Sequence, residues 1–96
     1  MEPITKLVIR HEKSADGYSN LEAEIDQDGA LVLSGCDAGP SVEEHLGDWD
    51  FEYWLTIPSR YRDTILLHLI KDRFSSVHDL QDWLKGLDVP CEFTSY

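Results

Sequence analysis

The chain has 96 residues and a formal net charge of −11, with 42% hydrophobic and 10% aromatic residues. These values suit one folded domain over 1–96 with a modest core, and they argue against wholesale disorder. The charge disfavours nucleic-acid phosphates and anionic membranes as partners, and leaves a basic protein, a metal ion or no partner.

In chain order, "ITKLVIRH" (Ile4 to His11) is β-branched and apolar enough for a first strand. "EKSADGYSN" then collects turn-forming residues. "LEAEID" (Leu21 to Asp26) alternates, with Leu21, Ala23 and Ile25 on one side and Glu22, Glu24 and Asp26 on the other. Asp28-Gly29 supplies the positive-φ turn of a tight hairpin, and "ALVLSG" (Ala30 to Gly35) is the return strand. Ser41 stands three residues before Glu44, a capping-box spacing that predicts one helical turn over Ser41 to Leu46, ended by Gly47. A fourth strand follows from about Trp49 to Ile57, stopped by Pro58.

"SRYRDTILLHLIKDRF" carries the helical period, with Tyr61, Ile65 and Leu69 in step, Leu66, Ile70 and Phe74 beside them, and Ser59 as N-cap. "SVHDLQDWLKG" predicts a second helix, capped by Ser76 and closed by Gly86. "VPCEFTSY" alternates and reads as a last edge strand. The expected order is β-β-β-β-α-α-β. This is an α+β fold in two layers: a mainly antiparallel sheet of about five strands with two helices packed on one face.

Charge placement carries more information than its sum. Between Ser14 and Ser59 there is no lysine or arginine, while the basic residues lie at Lys6, Arg10 and Lys13 before and at Arg60, Arg62, Lys71, Arg73 and Lys85 after. With Trp49, Phe51 and Tyr53 turned inward, the strand period sets Asp48, Asp50, Glu52 and Trp54 outward, on the side that also takes Glu22, Glu24 and Asp26. Ordinary solvated faces mix signs, because like charges opposite one another on a sheet repel. A one-sign face suits steering toward a cationic partner, and Trp is enriched at the energetic centres of interfaces. The candidate partner-binding residues are therefore Glu22, Glu24, Asp26, Asp48, Asp50, Glu52 and Trp54, with Glu43 and Glu44 as a second patch.

Other chemistry is thinner. The serines fall at caps and turns, without a nucleophile-elbow pattern. Cys36 and His45 are near in sequence, but nothing orients them as a pair. "EEHLGD" offers Glu43, Glu44, His45 and Asp48 to a metal-binding or hydrolytic reading, without zinc or HExxH spacing. "DQDG" lacks the third ligand and distal glutamate of a calcium loop, and reads as a turn. No cofactor, metal site or catalytic residue is assigned. The two cysteines, Cys36 and Cys91, suit buried thiols in a reducing cytosol. "MEPITKLVIRHEK" is unlike a signal peptide, and no segment approaches the ~20 apolar residues of a membrane helix. A soluble cytoplasmic protein is expected.

"GPSVEEHLGDWDFEYW" and the terminal "VPCEFTSY" resemble a family of small acidic bacterial proteins, over about Leu21 to Tyr96. That resemblance passes on no catalytic residue. In size, acidity and architecture the chain also resembles the immunity proteins of bacterial toxin systems. This second resemblance implies an acidic inhibitor that plugs a basic cleft of a toxin or nuclease. Two further readings stand beside it: the metal-binding protein or hydrolase centred on Glu43 to Asp48, and a non-catalytic homodimer paired through "VPCEFTSY".

Overall fold

The computed structural model describes residues 1–40 and 50–95. The expected helical turn at Ser41 to Leu46 and its Gly47 stop lie outside them, as do Trp49 and Tyr96. The order among the described residues is β1 (Lys6–Ser14), β2 (Gly17–Ile25), β3 (Leu31–Ala38), β4 (Asp50–Ile57), a 3-10 turn (Ser59–Tyr61), α1 (Arg62–Arg73) and α2 (Val77–Gly86). The fold is α+β, and its sheet is four-stranded and antiparallel in the order β1-β2-β3-β4. The expected fifth strand does not form: residues 89–95 are irregular. Pro90 removes a ladder donor there, and Val89 is held instead by a helix-terminating hydrogen bond. No described helix is long and apolar enough to cross a membrane.

The chain divides into two compact units, 4–62 with the sheet, and 1–3 together with 63–95 with the helices. In the sheet unit β1 and β2 meet at a two-residue turn, Ser14 facing Gly17. The alternation that begins at Leu21 therefore extends back through "GYSN", which is strand and not turn. Gly17 and Gly39 have φ of 126° and 135°. A Cβ on Gly17 would overlap the Ala38 carbonyl, and one on Gly39 the Asp16 carbonyl, so backbone lies directly on backbone there. Ala38, 4% exposed, is the one buried hydrophobic side chain among the described residues and sits at this junction.

The β2–β3 connection is the predicted hairpin. Gly29 takes φ 82°, and the Asp26 carboxylate accepts the Asp28 and Ala30 N–H groups, each at 2.9 Å. Arg62 donates to the Gly29 carbonyl at 3.0 Å. A bulge in β1 sets both Ile9 and Arg10 against Leu21. It flips the alternation of "KLVIRHEKS", so that Lys6, Val8, His11 and Lys13 share one face of the sheet.

The register sorts the sheet into two faces. The apolar face has the rows Leu7–Ala23–Leu33–Leu55 and Ile25–Leu31–Ile57, then Leu21–Gly35–Tyr53. Tyr53 lies across Gly35, where a Cβ would overlap its ring, and its centroid is 5.3 Å from that of Phe51. Arg10, Ser19 and Asp37 close this face in a chain of hydrogen bonds of 2.9 and 2.6 Å.

In the helical unit α1 is entered from Pro58 through the 3-10 turn, so Ser59 lies inside that turn and is not an N-cap. Asp63 in its first turn and Lys71 and Arg73 in its last complement the helix dipole. Ser76 caps α2 as predicted, accepting the Asp79 N–H at 3.1 Å. The helix ends at Gly86, as expected, but Gly86 is not the left-handed residue. Asp88, at φ 59°, takes the left-handed position, and Val89 and Asp88 donate to the Leu84 and Lys85 carbonyls at 2.9 and 3.0 Å. This is a Schellman motif, with Asp in a place usually held by Gly. Ile70, Phe74, Leu80, Leu84 and Val89 are half-buried, and the Phe74 and Trp83 ring centroids lie 5.4 Å apart.

Candidate functional site: the polar face of the sheet

The second face of the sheet is polar. Its rows run Lys6–Glu24–Val32–Thr56, Val8–Glu22–Ser34–Trp54, His11–Asn20–Cys36–Glu52 and Lys13–Tyr18–Ala38–Asp50. Cross-strand neighbours share a face, so the register alone brings Glu22, Glu24, Asp50, Glu52 and Trp54 to one side of the sheet. These residues were expected together from the strand period.

The face is less uniform than expected. Its acidic residues fall on β2 and β4, with neutral Val32, Ser34 and Cys36 between them on β3. At the β1 edge Lys6 reaches Glu22 at 3.2 Å and Glu24 at 3.9 Å. The Lys6 side chain is 56% exposed, so these pairs contribute no more than about 1 kcal/mol, but they compensate the β2 carboxylates locally. The sign of charge therefore changes across the sheet, from basic at β1 to acidic at β4. Among the described residues Asp50 and Glu52 form no ion pair. They hold the acidic end of the face.

Trp54 is 64% exposed. Its neighbour on β3 is Ser34, too small to cover an indole. The indole thus borders a shallow depression of about 260 Å³, lined by Asn20, Glu22, Ser34, Cys36, Glu52 and Trp54. Carboxylates flank this depression on two sides and an aromatic ring on a third, an arrangement suited to a cationic side chain with an apolar stem.

Tyr18 and Cys36 add a pair that the strand period of "LEAEID" did not announce. The Tyr18 hydroxyl lies 3.7 Å from the Cys36 sulfur. Its pKa is raised, first by that hydrogen bond, then by the charge Cys36 would carry, by slight burial and by Asp50 and Glu52. His11 Nδ1 and Asn20 Oδ1 are 2.6 Å apart on the same face. The signal for these residues was present in "GYSN", whose alternation continues that of "LEAEI" without a break.

The remaining candidates lie elsewhere. Asp26 follows the end of β2, and its carboxylate is engaged by the hairpin turn. Glu43, Glu44, His45 and Asp48 lie outside the described residues. Among the described residues no group of three or more His, Cys, Asp or Glu side chains is placed to hold a metal ion. Both cysteines are free thiols, and the expectation of burial fails at Cys91, which is exposed, while Cys36 is half-buried. Residues 89–95 form no strand, so the expected edge pairing through "VPCEFTSY" has no strand to use.

No protein-family model, curated protein or solved structure matches the chain.

Proposed function

We propose that this protein is a small acidic binding module of the immunity type, whose polar sheet face engages a basic protein partner such as a toxin or nuclease. The observation that carries the reading is the alignment of Asp50, Glu52 and exposed Trp54 along β4, beside a depression that Glu22 borders from β2. The carboxylates steer a cationic surface toward the face, and Trp54 supplies the apolar contact that slows its release. Glu24 and Lys6 form the rim, and Glu43, Glu44 and Asp48 extend the acidic sequence on the chain leading into β4. The partner's active cleft would be occluded; the module itself performs no chemistry.

The test is capture of partners from native lysate on immobilised wild-type protein, at low and moderate salt, against the double variant Asp50→Lys/Glu52→Lys and against Trp54→Ala. The expected result is a basic protein that wild type retains at low salt and releases as salt rises. The double reversal should lose it, and Trp54→Ala should shorten its residence. A partner bound equally by all three proteins, at any salt, would overturn the assignment of this face. Circular dichroism of each variant confirms that the sheet is intact.

A further inference from the structure

The two edges of the sheet are built differently. Edge strand β1 carries Lys6 and Lys13 and is broken by the Ile9 bulge, devices that blunt an edge against strand addition. Edge strand β4, "DFEYWLTI", has no lysine, no proline and no bulge over its eight residues. Among the described residues its outer side pairs with no strand. An uninterrupted edge of this kind offers its free N–H and C=O groups to another strand.

We infer that β4 pairs with β4 of a second copy of this chain, antiparallel about a twofold axis perpendicular to the sheet. The sequence of β4 selects that occupant. A continuous sheet keeps its faces, so residues opposite one another must come from the same face. In a self-paired antiparallel strand this requires the two residue numbers to sum to an even value. The two registers of longest overlap are then the one centred on Tyr53, over 50–56, and the one centred on Trp54, over 51–57.

Both registers are self-complementary. Centred on Tyr53, Asp50 faces Thr56, Glu52 faces Trp54, and Phe51 faces Leu55. Centred on Trp54, Glu52 faces Thr56, Phe51 faces Ile57, and Tyr53 faces Leu55. In each, carboxylates oppose neutral side chains and apolar residues oppose apolar residues. The next register toward the start of the strand sets Glu52 against its own copy, which is repulsive, and shortens the overlap. The dimer would extend both faces across the junction and bring two Asp50–Glu52–Trp54 rows side by side.

The test is sedimentation equilibrium of the full chain from about 1 μM to about 1 mM, a range that reports Kd values typical of small interfaces. Thr56 separates the possibilities, because it is exposed and faces a carboxylate of the other copy in both registers. Wild type is expected to reach a dimer and stop there. Thr56→Glu should weaken it about tenfold, since two like-charge pairs arise per dimer, and Thr56→Lys should tighten it by a similar factor. Because each copy is acidic, dimerisation should strengthen as salt rises, opposite to the response expected for a basic partner. Wild type that stays monomeric throughout overturns the inference. So does assembly that grows past the dimer, which would mean β1-to-β4 addition, or a dimer indifferent to both Thr56 variants.

Discussion

The two faces of the sheet are made from alternate residues of the same strands, yet they obey different rules. On the apolar face, Leu33 sits between Ala23 and Leu55, and Tyr53 fills the space that Gly35 leaves open. One residue further on, Ser34 sits between Glu22 and Trp54 and lines the shallow depression. The first face depends on shape and volume, the second on charge and access. Adjacent positions in one strand therefore differ in what a substitution does, and that difference can be measured.

The largest effect should come from placing a carboxylate at each of those adjacent positions. Leu33→Asp brings a charge among aliphatic neighbours and should lower stability by about 2–4 kcal/mol. Ser34→Asp adds a charge beside Glu22 on the solvated face and should cost less than about 1 kcal/mol. Urea unfolding of both variants gives the comparison directly. Equal losses would show that the two faces are not distinct.

A smaller effect, of about 1–3 kcal/mol, is expected for Gly35→Ala, because the new methyl group collides with the Tyr53 ring. The double variant Gly35→Ala/Tyr53→Ala should cost less than the sum of the two single changes, since removing the ring removes the collision. Additive losses would show that the ring does not rest on this glycine.

The smallest effect belongs to the polar face and appears only at alkaline pH. The Tyr18 phenol is held above its ordinary value, chiefly by its hydrogen bond to Cys36. The folded state therefore favours the protonated phenol more than the unfolded state does. That contribution is fully present below about pH 10, the unfolded value, and is lost as pH rises through the folded value. Tyr18→Phe should flatten this part of the stability profile above about pH 10. An unchanged slope would separate Tyr18 from the decline.

Much of this was readable in the chain. The alternation of "LEAEID" and "DFEYWLTI" specified two strands and sorted their carboxylates from their apolar residues, because side chains in a strand point alternately to opposite faces. Asp28-Gly29 announced the hairpin, and Ser76 announced the cap of α2. The failures have local physical causes. "VPCEFTSY" alternates, but Pro90 cannot donate, and Val89 is committed to the Schellman motif. "GYSN" looks like turn chemistry, yet a two-residue turn at Ala15 and Asp16 leaves those residues free to pair. Asp26 belongs to the acidic side of the alternation, but its carboxylate serves the turn beside it.

The sequence by itself determined which residues alternate, where the helices run and that the acidic residues fall in an interval without lysine or arginine, since these follow from side-chain chemistry and from periods of 2 and 3.6. Short connections already favoured antiparallel neighbours among the first four strands; only the tertiary structure decided their register. It placed neutral β3 between the acidic strands, used a bulge to bring Lys6, His11 and Lys13 to the same face, and set Lys6 against Glu22 and Glu24. It also brought Tyr18 to Cys36 and, among the described residues, left β4 as an edge. Strand order and register join residues far apart in the chain, and no local period encodes which distant partner a strand will meet.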